Sequence, residues 1–376
     1  MGVLLAYSTM SFMARASGEH TYRPAWWVPG PHAQTLWGKI ARRWPALPTR
    51  HERWRTPDND FIELLRLDAG PNRPRLFLLH GLEGTARSHY VGGLLQMAKS
   101  RDWGADLLLF RGCGSEPNQA ARFYHSGETT DLAFALSRVL EEFPAAPILL
   151  CGVSLGGNVL LKWLGERGES LPDRVRAAAT ISVPYDLERG SRHISRGFSR
   201  LYERHFLRTL RRKAAAKLAR YPGLFDREAL RRARTLYDFD DVVTAPVHGF
   251  RDAHDYYSRS SSLGFLKRIR RPTFLLSAVD DPFLPAEVLA QVREVARENL
   301  YLELEFLGRG GHVGFVGGLP WRPIYYAERR IGDFFDAALS RALHPSPHRP
   351  SAPYQASVEA PHSRQPRSSH SEDLEC

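Results

Sequence analysis

The pattern of apolar and polar residues changes twice along the chain. Between residues 75 and 183, and again from 273 to 340, short apolar runs alternate with longer segments of helical spacing. Such runs are typical of strands buried on both faces, and the alternation with helices predicts a mostly parallel, doubly wound sheet. The predicted strands are 75–79, 105–110, 148–152, 177–183, 273–278 and 302–307, and the predicted helices are 86–100, 129–143, 285–298 and 324–339.

The region before these runs has a different character. Residues 1–50 are rich in Trp and Pro without a clear period, and we interpret them as an N-terminal arm packed on the core. The turn-rich stretch 57–60 lies between two extended segments, 54–56 and 61–67. This arrangement predicts an antiparallel hairpin at the edge of the sheet.

The alternation is interrupted between residues 183 and 273, where the sequence is helical and rich in arginine. Because the interruption follows the carboxyl end of a strand, where α/β folds bind ligands, it predicts a lid over a site. At 376 residues and 43% apolar content, the chain can hold one large domain with such an insertion. We therefore divide it into the arm (1–50), a first core part (51–188), a basic helical lid (189–264), a second core part (265–340) and a tail (341–376) that its Pro, Ser and His content predicts to be disordered.

The strongest chemical signal is Gly152-Val-Ser154-Leu-Gly156, which directly follows an apolar run and precedes a helical segment. A Gly-x-Ser-x-Gly sequence between a strand and a helix is what a nucleophile elbow requires. The sharp turn exposes the serine, and the glycines leave room for neighbouring backbone. The helix N-terminus behind Ser154 also favours developing negative charge. Ser154 is therefore the candidate nucleophile.

A serine nucleophile needs a base and an acid that orients it. In this fold the chain order is Ser, then the acid, then His. His312 lies in a glycine-rich segment just after the last predicted strand, and we expect it to be the base.

Two adjacent aspartates, Asp280 and Asp281, follow the 273–278 strand and compete for the role of the acid. In the familiar Asp-x-x-x-Pro spacing, counting back from Pro285 favours Asp281, with Asp280 capping the next turn or supporting the loop. Asp186, which follows another strand, is a further candidate.

The negative oxygen of the reaction intermediate needs two backbone N–H donors. We expect one from Leu155, directly after the nucleophile, and one from Leu82 in the 80–84 loop. We interpret His80 as forming a structural hydrogen bond, and we expect Cys113 only to line the site, because no histidine is paired with it. The residues expected to line this edge of the sheet are His80, Gly81, Arg111, Cys113, His125 and Asp280.

The net charge of +11 is concentrated in residues 189–234, which hold 15 Lys and Arg residues against three acids. Arginines recur every four residues from 192 to 212 with apolar residues between them, which predicts an amphipathic helix if it is continuous. In one interpretation the apolar face of this helix packs over the site and the arginines face water. In the other, residues 189–234 contact an anionic membrane surface transiently. No nucleic-acid recognition motif accompanies the charge, so we expect no nucleic-acid partner.

The three cysteines, Cys113, Cys151 and Cys376, form neither a metal-type pair nor a disulfide framework. We therefore expect a cytoplasmic protein. No run reaches the roughly 20 apolar residues that span a bilayer, and the first residues lack the basic region of a signal peptide.

Taken together, these blocks resemble the YheT-like branch of the α/β-hydrolases, which is akin to the mammalian abhydrolase-domain proteins one to three. The resemblance covers roughly residues 25–340, although Phe110 stands where the family often has Asn or His, and the lid is unusually basic. The matching stretches are Pro31-His-x-Gln-Thr-Leu36, His80-Gly-Leu-Glu-Gly84, Arg111-Gly-Cys113, Tyr124-His-Ser-Gly127, Gly152-Val-Ser-Leu-Gly-Gly157, Asp280-Asp-Pro-Phe283 and Gly310-Gly-His-Val-Gly-Phe315.

The resemblance implies a carboxylic-ester hydrolase with the triad Ser154, Asp281 and His312, acting on esters of fatty acids such as acylglycerols or phospholipids. We expect a small-molecule ester substrate and no requirement for a cofactor or metal. Two alternatives stay open: an acyltransferase using the same residues, and a non-catalytic binding protein that retains the fold.

Overall fold

A computed structural model describes residues 21–343, which are organised around an eight-stranded sheet. The strand order is β1-β2-β4-β3-β5-β6-β7-β8. The strands are β1 (Thr49–Arg55), β2 (Phe61–Leu67), β3 (Arg75–Leu79), β4 (Gly104–Leu109), β5 (Ile148–Val153), β6 (Val175–Ile181), β7 (Thr273–Ala278) and β8 (Leu302–Leu307).

The six strands β3 to β8 pair in parallel, in the order β4-β3-β5-β6-β7-β8. Strands β1 and β2 form an antiparallel hairpin, and β2 also pairs antiparallel with β4. The predicted doubly wound sheet and its edge hairpin are therefore confirmed. The parallel strands read as apolar runs because helices cover both faces of the sheet.

The two faces carry separate apolar cores. Along β3, Phe77 and Leu79 contribute to one core, while Leu76 and Leu78 contribute to the other, as the two-residue period of a strand dictates. Three helices pack on the first face: α3 (Thr130–Glu142), α4 (Leu155–Arg167) and α11 (Ala286–Glu298). Two pack on the second: α2 (His89–Ser100) and α12 (Tyr326–Leu343).

Residues 182–272, between β6 and β7, form the insertion. It consists mainly of helices and has a small apolar core of its own, to which Leu207, Phe225 and Phe239 belong. Its helices are α5 (Leu187–Ile194), α6 (Arg200–Arg220), α7 (Arg227–Arg232), α8 (Leu236–Phe239), α9 (Ala245–His248) and α10 (Ala253–Ser260).

The amphipathic helix that the arginine repeat would form if it were continuous over residues 192–212 does not form, because the segment is interrupted. Helix α5 ends at Ile194, and a short 3₁₀ turn at 197–199 precedes α6. Gly197 has a φ of +52°, a left-handed conformation that interrupts a right-handed α-helix. The arginine repeat therefore extends over two separate helices.

Two elements have no counterpart in the pattern analysis. Helix α1 (Gly30–Ala41) lies in the N-terminal arm, where Gln34 and Gly38 are its fully buried residues and Ala33 and Trp37 pack, partly buried, on a small apolar cluster. A second hairpin, β9 (Val316–Leu319) and β10 (Arg322–Tyr325), precedes α12, and Pro24 of the arm bridges to Gly317 of β9.

Several predictions concern residues outside the described range: the first 20 residues of the arm, the absence of a signal peptide, Cys376, and the tail from residue 344 onward. These stay predictions. No helix within residues 21–343 combines the length and the apolar character that crossing a bilayer requires.

A buried charge cluster joins three strands on the hairpin side of the sheet. Asp106 of β4 accepts hydrogen bonds from the Nε atoms of Arg66 on β2 (2.6 Å) and Arg75 on β3 (2.8 Å). All three side chains are at most 1% exposed. A buried guanidinium without its carboxylate is unfavourable, because water cannot replace the lost partner.

We expect Asp106→Asn to lower the free energy of unfolding by about 3 to 5 kcal/mol, because it leaves the buried guanidinium of Arg75 without a charged partner and leaves Arg66 with Glu52 and Glu142 alone. Urea denaturation measures the change. The matched control is Asp68→Asn, which breaks a largely exposed ion pair with Arg50 and should cost at most about 1 kcal/mol. Equal losses for the two variants would contradict a stabilising role for the buried cluster.

Candidate active site

Ser154 lies in a strained turn between β5 and α4. Its φ of 53° and ψ of −121° place a non-glycine residue in a region that L side chains rarely adopt. A Cβ at Gly152 would approach the carbonyl oxygen of Gly156 to 2.6 Å, and one at Gly156 would approach that of His80 to 2.5 Å. Leu155 is the first residue of α4, so its N–H has no partner within the helix.

The turn brings Ser154 into contact with two other predicted site residues. The Oγ of Ser154 lies 3.0 Å from the Nε2 of His312, and the Nδ1 of His312 lies 2.8 Å from Asp281 Oδ2. Asp281 is 3% exposed and His312 8% exposed. The second carboxylate oxygen of Asp281 accepts a hydrogen bond from the N–H of Phe283, whose ring stacks on the imidazole of His312 with 4.2 Å between centroids.

The three candidate acids have different partners. Asp281 contacts the imidazole of His312, whereas Asp280 accepts a hydrogen bond from the backbone N–H of Gly311 at 2.9 Å. Burial raises the pKa of Asp280. Asp186 caps the N-terminus of α5 by accepting from the N–H of Arg189. The geometry thus places Asp281 to orient the histidine, and Asp280 to brace the backbone beside it.

The N-terminal arm holds the histidine loop, residues 308–315, in place. The N–H of His312 donates to Thr35 Oγ1 at 2.9 Å. Just after the loop, Gln34 accepts from the N–H of Val316 and donates to its carbonyl oxygen. The Oγ of Ser182 accepts from the N–H of Val313. The role of Gln34 and Thr35 was not predicted, and the motif from Pro31 to Leu36 was its only signal in the sequence.

The 80–84 loop presents Leu82 to the site. The amides on either side are used elsewhere: that of Gly81 donates to the hydroxyl of Tyr90, and that of Glu83 to the hydroxyl of Tyr124, each at 2.9 Å. The amide of Leu82 lies between these two anchored neighbours. It is the loop donor that the sequence analysis singled out.

Glu83 connects this loop to the insertion. Its φ of 53° is unusual for a non-glycine residue. Its Oε1 accepts from the hydroxyl of Tyr124 at 2.9 Å and from the Nζ of Lys213 on α6 at 2.8 Å. The loop next to Leu82 is therefore fixed by a tyrosine below it and by a lysine from the insertion.

A cavity of about 690 Å³ opens over Ser154 and His312. Gly81, Leu82 and Leu155 line it beside them, and the opposite wall consists largely of α5 and α6 of the insertion. Cys113 and His125, also predicted to line the site, do so.

Three of the predicted lining residues are not part of the cavity wall, namely His80, Arg111 and Asp280. His80 is fully buried, donates from Nδ1 to the carbonyl oxygen of Gly81, and accepts from the N–H of Phe110. Burial lowers the pKa of His80 to about 4, so it stays neutral and structural.

Arg111 also corrects an expectation. Instead of lining the site, its buried guanidinium is bound by the carboxylates of Asp58, Asp60 and Asp131. The three acids satisfy its hydrogen-bond donors, so it is structural. None of them is a neighbour in the sequence, and this is why the motif alone did not reveal the network.

Cys113 and His125 are not suited to a reaction of their own. Burial raises the pKa of Cys113 to about 12, which disfavours the reactive thiolate. Burial, with a smaller contribution from His248, lowers the pKa of His125 to about 3. Within residues 21–343, no group of three or more His, Cys, Asp or Glu side chains is arranged to hold a metal ion.

This geometry can be compared with known proteins. A family model described as "alpha/beta hydrolase fold" matches residues 74–318. The chain is 39% identical over 313 residues to YheT of Escherichia coli (strain K12), a candidate esterase, and the match covers 82% of this chain and 91% of that protein. It is 29% identical to the phospholipase ABHD3 of Mus musculus, over 85% of this chain and 79% of that protein.

A monoacylglycerol lipase of Saccharomyces cerevisiae is 29% identical, over 74% of this chain and 64% of that protein. Among solved structures, the esterase Pf2001 of Pyrococcus furiosus matches with a TM-score of 0.52 at 16% identity, covering 79% of this chain and 97% of that one, which is a likeness in fold. The chain therefore belongs to the α/β-hydrolase fold family, in its YheT-like branch.

Proposed function

We propose that this protein is a serine hydrolase that cleaves carboxylic esters through Ser154, His312 and Asp281. The observation that carries the proposal is the continuous chain of contacts from Ser154 Oγ through the imidazole of His312 to the buried carboxylate of Asp281. The similar proteins named as an esterase, a phospholipase and a lipase support an ester as the substrate.

In the proposed first step, His312 Nε2 accepts the proton of Ser154 as its Oγ forms a bond to the ester carbonyl carbon. Asp281 keeps the Nδ1–H tautomer and stabilises the imidazolium. The amides of Leu82 and Leu155 donate to the oxygen that becomes negative.

The carbon–oxygen bond to the leaving alcohol then breaks, and His312 returns its proton to that alcohol. An acyl group stays on Ser154. Water then attacks the acyl carbon and gives up a proton to His312. The bond between that carbon and Ser154 Oγ breaks, His312 returns the proton to Oγ, and the free acid is released.

The cavity wall favours an ester with an apolar acyl group. A volume of about 690 Å³ lies in the range of small-molecule sites, and much of the wall is aliphatic or aromatic. Its apolar lining includes Leu36, Phe123, Ile194, Phe206, Leu210 and Phe239. Acylglycerols or other lipid-like esters are therefore the substrates we would test first.

We expect Ser154→Ala to abolish labelling by a fluorophosphonate probe, and to lower ester hydrolysis at least about a thousandfold, because the nucleophile is lost. The matched control is Ser137→Ala, an exposed serine on α3 whose hydroxyl donates within its own helix. The control should label like the wild type. A folded wild-type protein that does not label would contradict the proposal and favour a binding protein.

We expect Glu83→Ala to lower kcat about tenfold with little change in KM, because the carboxylate fixes the loop that presents the Leu82 amide. Glu83→Gln should lose less, since its amide oxygen can still accept from Tyr124. The affinity for a trifluoromethyl ketone inhibitor, which places a negative oxygen at the same position, should fall in parallel with kcat.

Glu116→Gln is the control for the Glu83 variants, since Glu116 forms an exposed ion pair with Arg53 away from the cavity. It should leave both parameters unchanged. A Glu83→Ala variant that raises KM alone would contradict the positioning role.

We also propose that the insertion docks transiently on anionic membranes. Phe198 is 53% exposed and Leu201 50% exposed, beside the exposed Arg200 and Arg204. Exposed apolar side chains ringed by arginines suit the boundary between lipid headgroups and acyl chains.

We expect the double variant Phe198→Ser, Leu201→Ser to bind vesicles containing phosphatidylserine at least about fivefold less than the wild type, because the inserting side chains are lost. Flotation with these vesicles and with phosphatidylcholine alone measures the effect. Leu300→Ser, at an exposed position after α11, is the control. Equal binding of the wild type to both vesicles would refute the docking proposal.

A further inference from the structure

The cavity wall carries more positive than negative side chains, although neither the proposed chemistry nor an apolar acyl group requires positive charge. Six basic side chains line the cavity, against only two acids. The basic residues are Lys39, Arg42, Arg43, Arg87, Arg212 and Lys213, and the acids are Glu83 and Asp240.

The two acids do not balance this charge. Glu83 is paired with Lys213. Asp240 is partly buried, and its carboxylate accepts hydrogen bonds from the hydroxyls of Tyr257 (2.7 Å) and Thr244 (2.6 Å). Neither carboxylate faces an unpaired cation of the wall.

Four of the basic residues are available to a ligand. Arg42 pairs with Glu328 and Lys213 with Glu83, whereas the others have no ion-pairing carboxylate among the described residues. The four are Lys39, Arg43, Arg87 and Arg212. Each is exposed and also lines the cavity, so together they lie at its opening. They come from α1 and its end, the segment before α2, and α6.

Part of this charge acts on His89, another histidine of the cavity wall. Gly38, beside Lys39, packs so tightly on His89 that a Cβ there would be 2.4 Å from the ring. Burial lowers the pKa of His89 to about 4, and the charges of Arg42, His312 and Lys39 lower it further in that order. His89 is thus within electrostatic reach both of the cavity cations and of His312.

We propose that the site selects esters that carry an anionic group, a carboxylate or a phosphate. This inference rests on the proposed ester hydrolysis and names its substrate class. Guanidinium groups match the planar oxygens of carboxylates and phosphates. A cavity walled by one sign of charge raises the local concentration of the opposite ion, and accelerates its binding.

Two pairs of soluble esters test the inference, and in each pair only one member carries the anionic group. On the acyl side, the mono-p-nitrophenyl ester of suberic acid is compared with its methyl ester. On the alcohol side, hexanoylglycerol 3-phosphate is compared with hexanoylglycerol. We expect kcat/KM to be about tenfold higher for the anion of at least one pair at low salt, and the ratio to fall as salt is added.

The combined variant Lys39→Gln, Arg43→Gln, Arg87→Gln, Arg212→Gln should bring the ratio of anionic to neutral rates close to one. Arg232→Gln is the matched control, because this exposed arginine of α7 belongs to the insertion but does not line the cavity. It should retain the wild-type ratio.

Equal rates within both pairs, or a preference that survives the combined variant, would overturn the inference. A preference seen only with anionic vesicles present would overturn it in favour of surface docking. If no ester is hydrolysed, the proposed function is refuted, but the charge preference of the cavity can still be measured. The measurement is the binding of hexyl phosphate and of hexanol to Ser154→Ala by calorimetry. Tighter binding of hexyl phosphate than of hexanol supports the inference, and equal binding overturns it.

Discussion

The strained backbone of Ser154 is the constraint on which the rest of the site depends. A φ of 53° at this residue costs about 1 to 3 kcal/mol, and persists only where the surroundings enforce it. Here the end of β3 enforces it, because the carbonyl oxygens of Leu79 and His80 lie within 2.6 Å of where a Cβ of Gly156 would be. The same close packing sets the distance between the 80–84 loop and the first turn of α4. One contact therefore fixes the nucleophile and both candidate amide donors relative to each other.

The histidine loop depends on enforced strain in a similar way. Val313 and Phe315 have φ values of 59° and 47°, which L side chains rarely adopt. Hydrogen bonds from three separate parts of the chain, at Thr35, Ser182 and Asp280, hold the backbone of this loop. The imidazole is thus aimed by its backbone and by Asp281 together. This explains why a glycine-rich segment, which is flexible in isolation, presents one orientation of the ring.

The strands of the core could be predicted because burial on both faces leaves an uninterrupted apolar run in the sequence. Ser154, His312 and Asp281 could be placed together because the carboxyl ends of parallel strands meet at one edge. The supporting residues could not be found in this way. Thr35 and His312 are 277 positions apart, and Glu83 and Lys213 are 130 apart. Such pairs follow from how the arm and the insertion pack on the core, and no local period encodes that packing.

The contacts of α6 hold the insertion against the core as one wall of the cavity. Near its start, Ser199 donates to the carbonyl oxygen of Pro282, next to Asp281, at 2.5 Å. Near its end, the buried Lys217 donates to the carbonyl oxygens of Asn118 (2.8 Å) and Ala120. Lifting the helix would expose these groups and break both anchors at once, which is costly for a buried ammonium. A ligand therefore reaches Ser154 through the standing opening between α1, the segment before α2 and α6, so the side chains at that opening meet every molecule that enters.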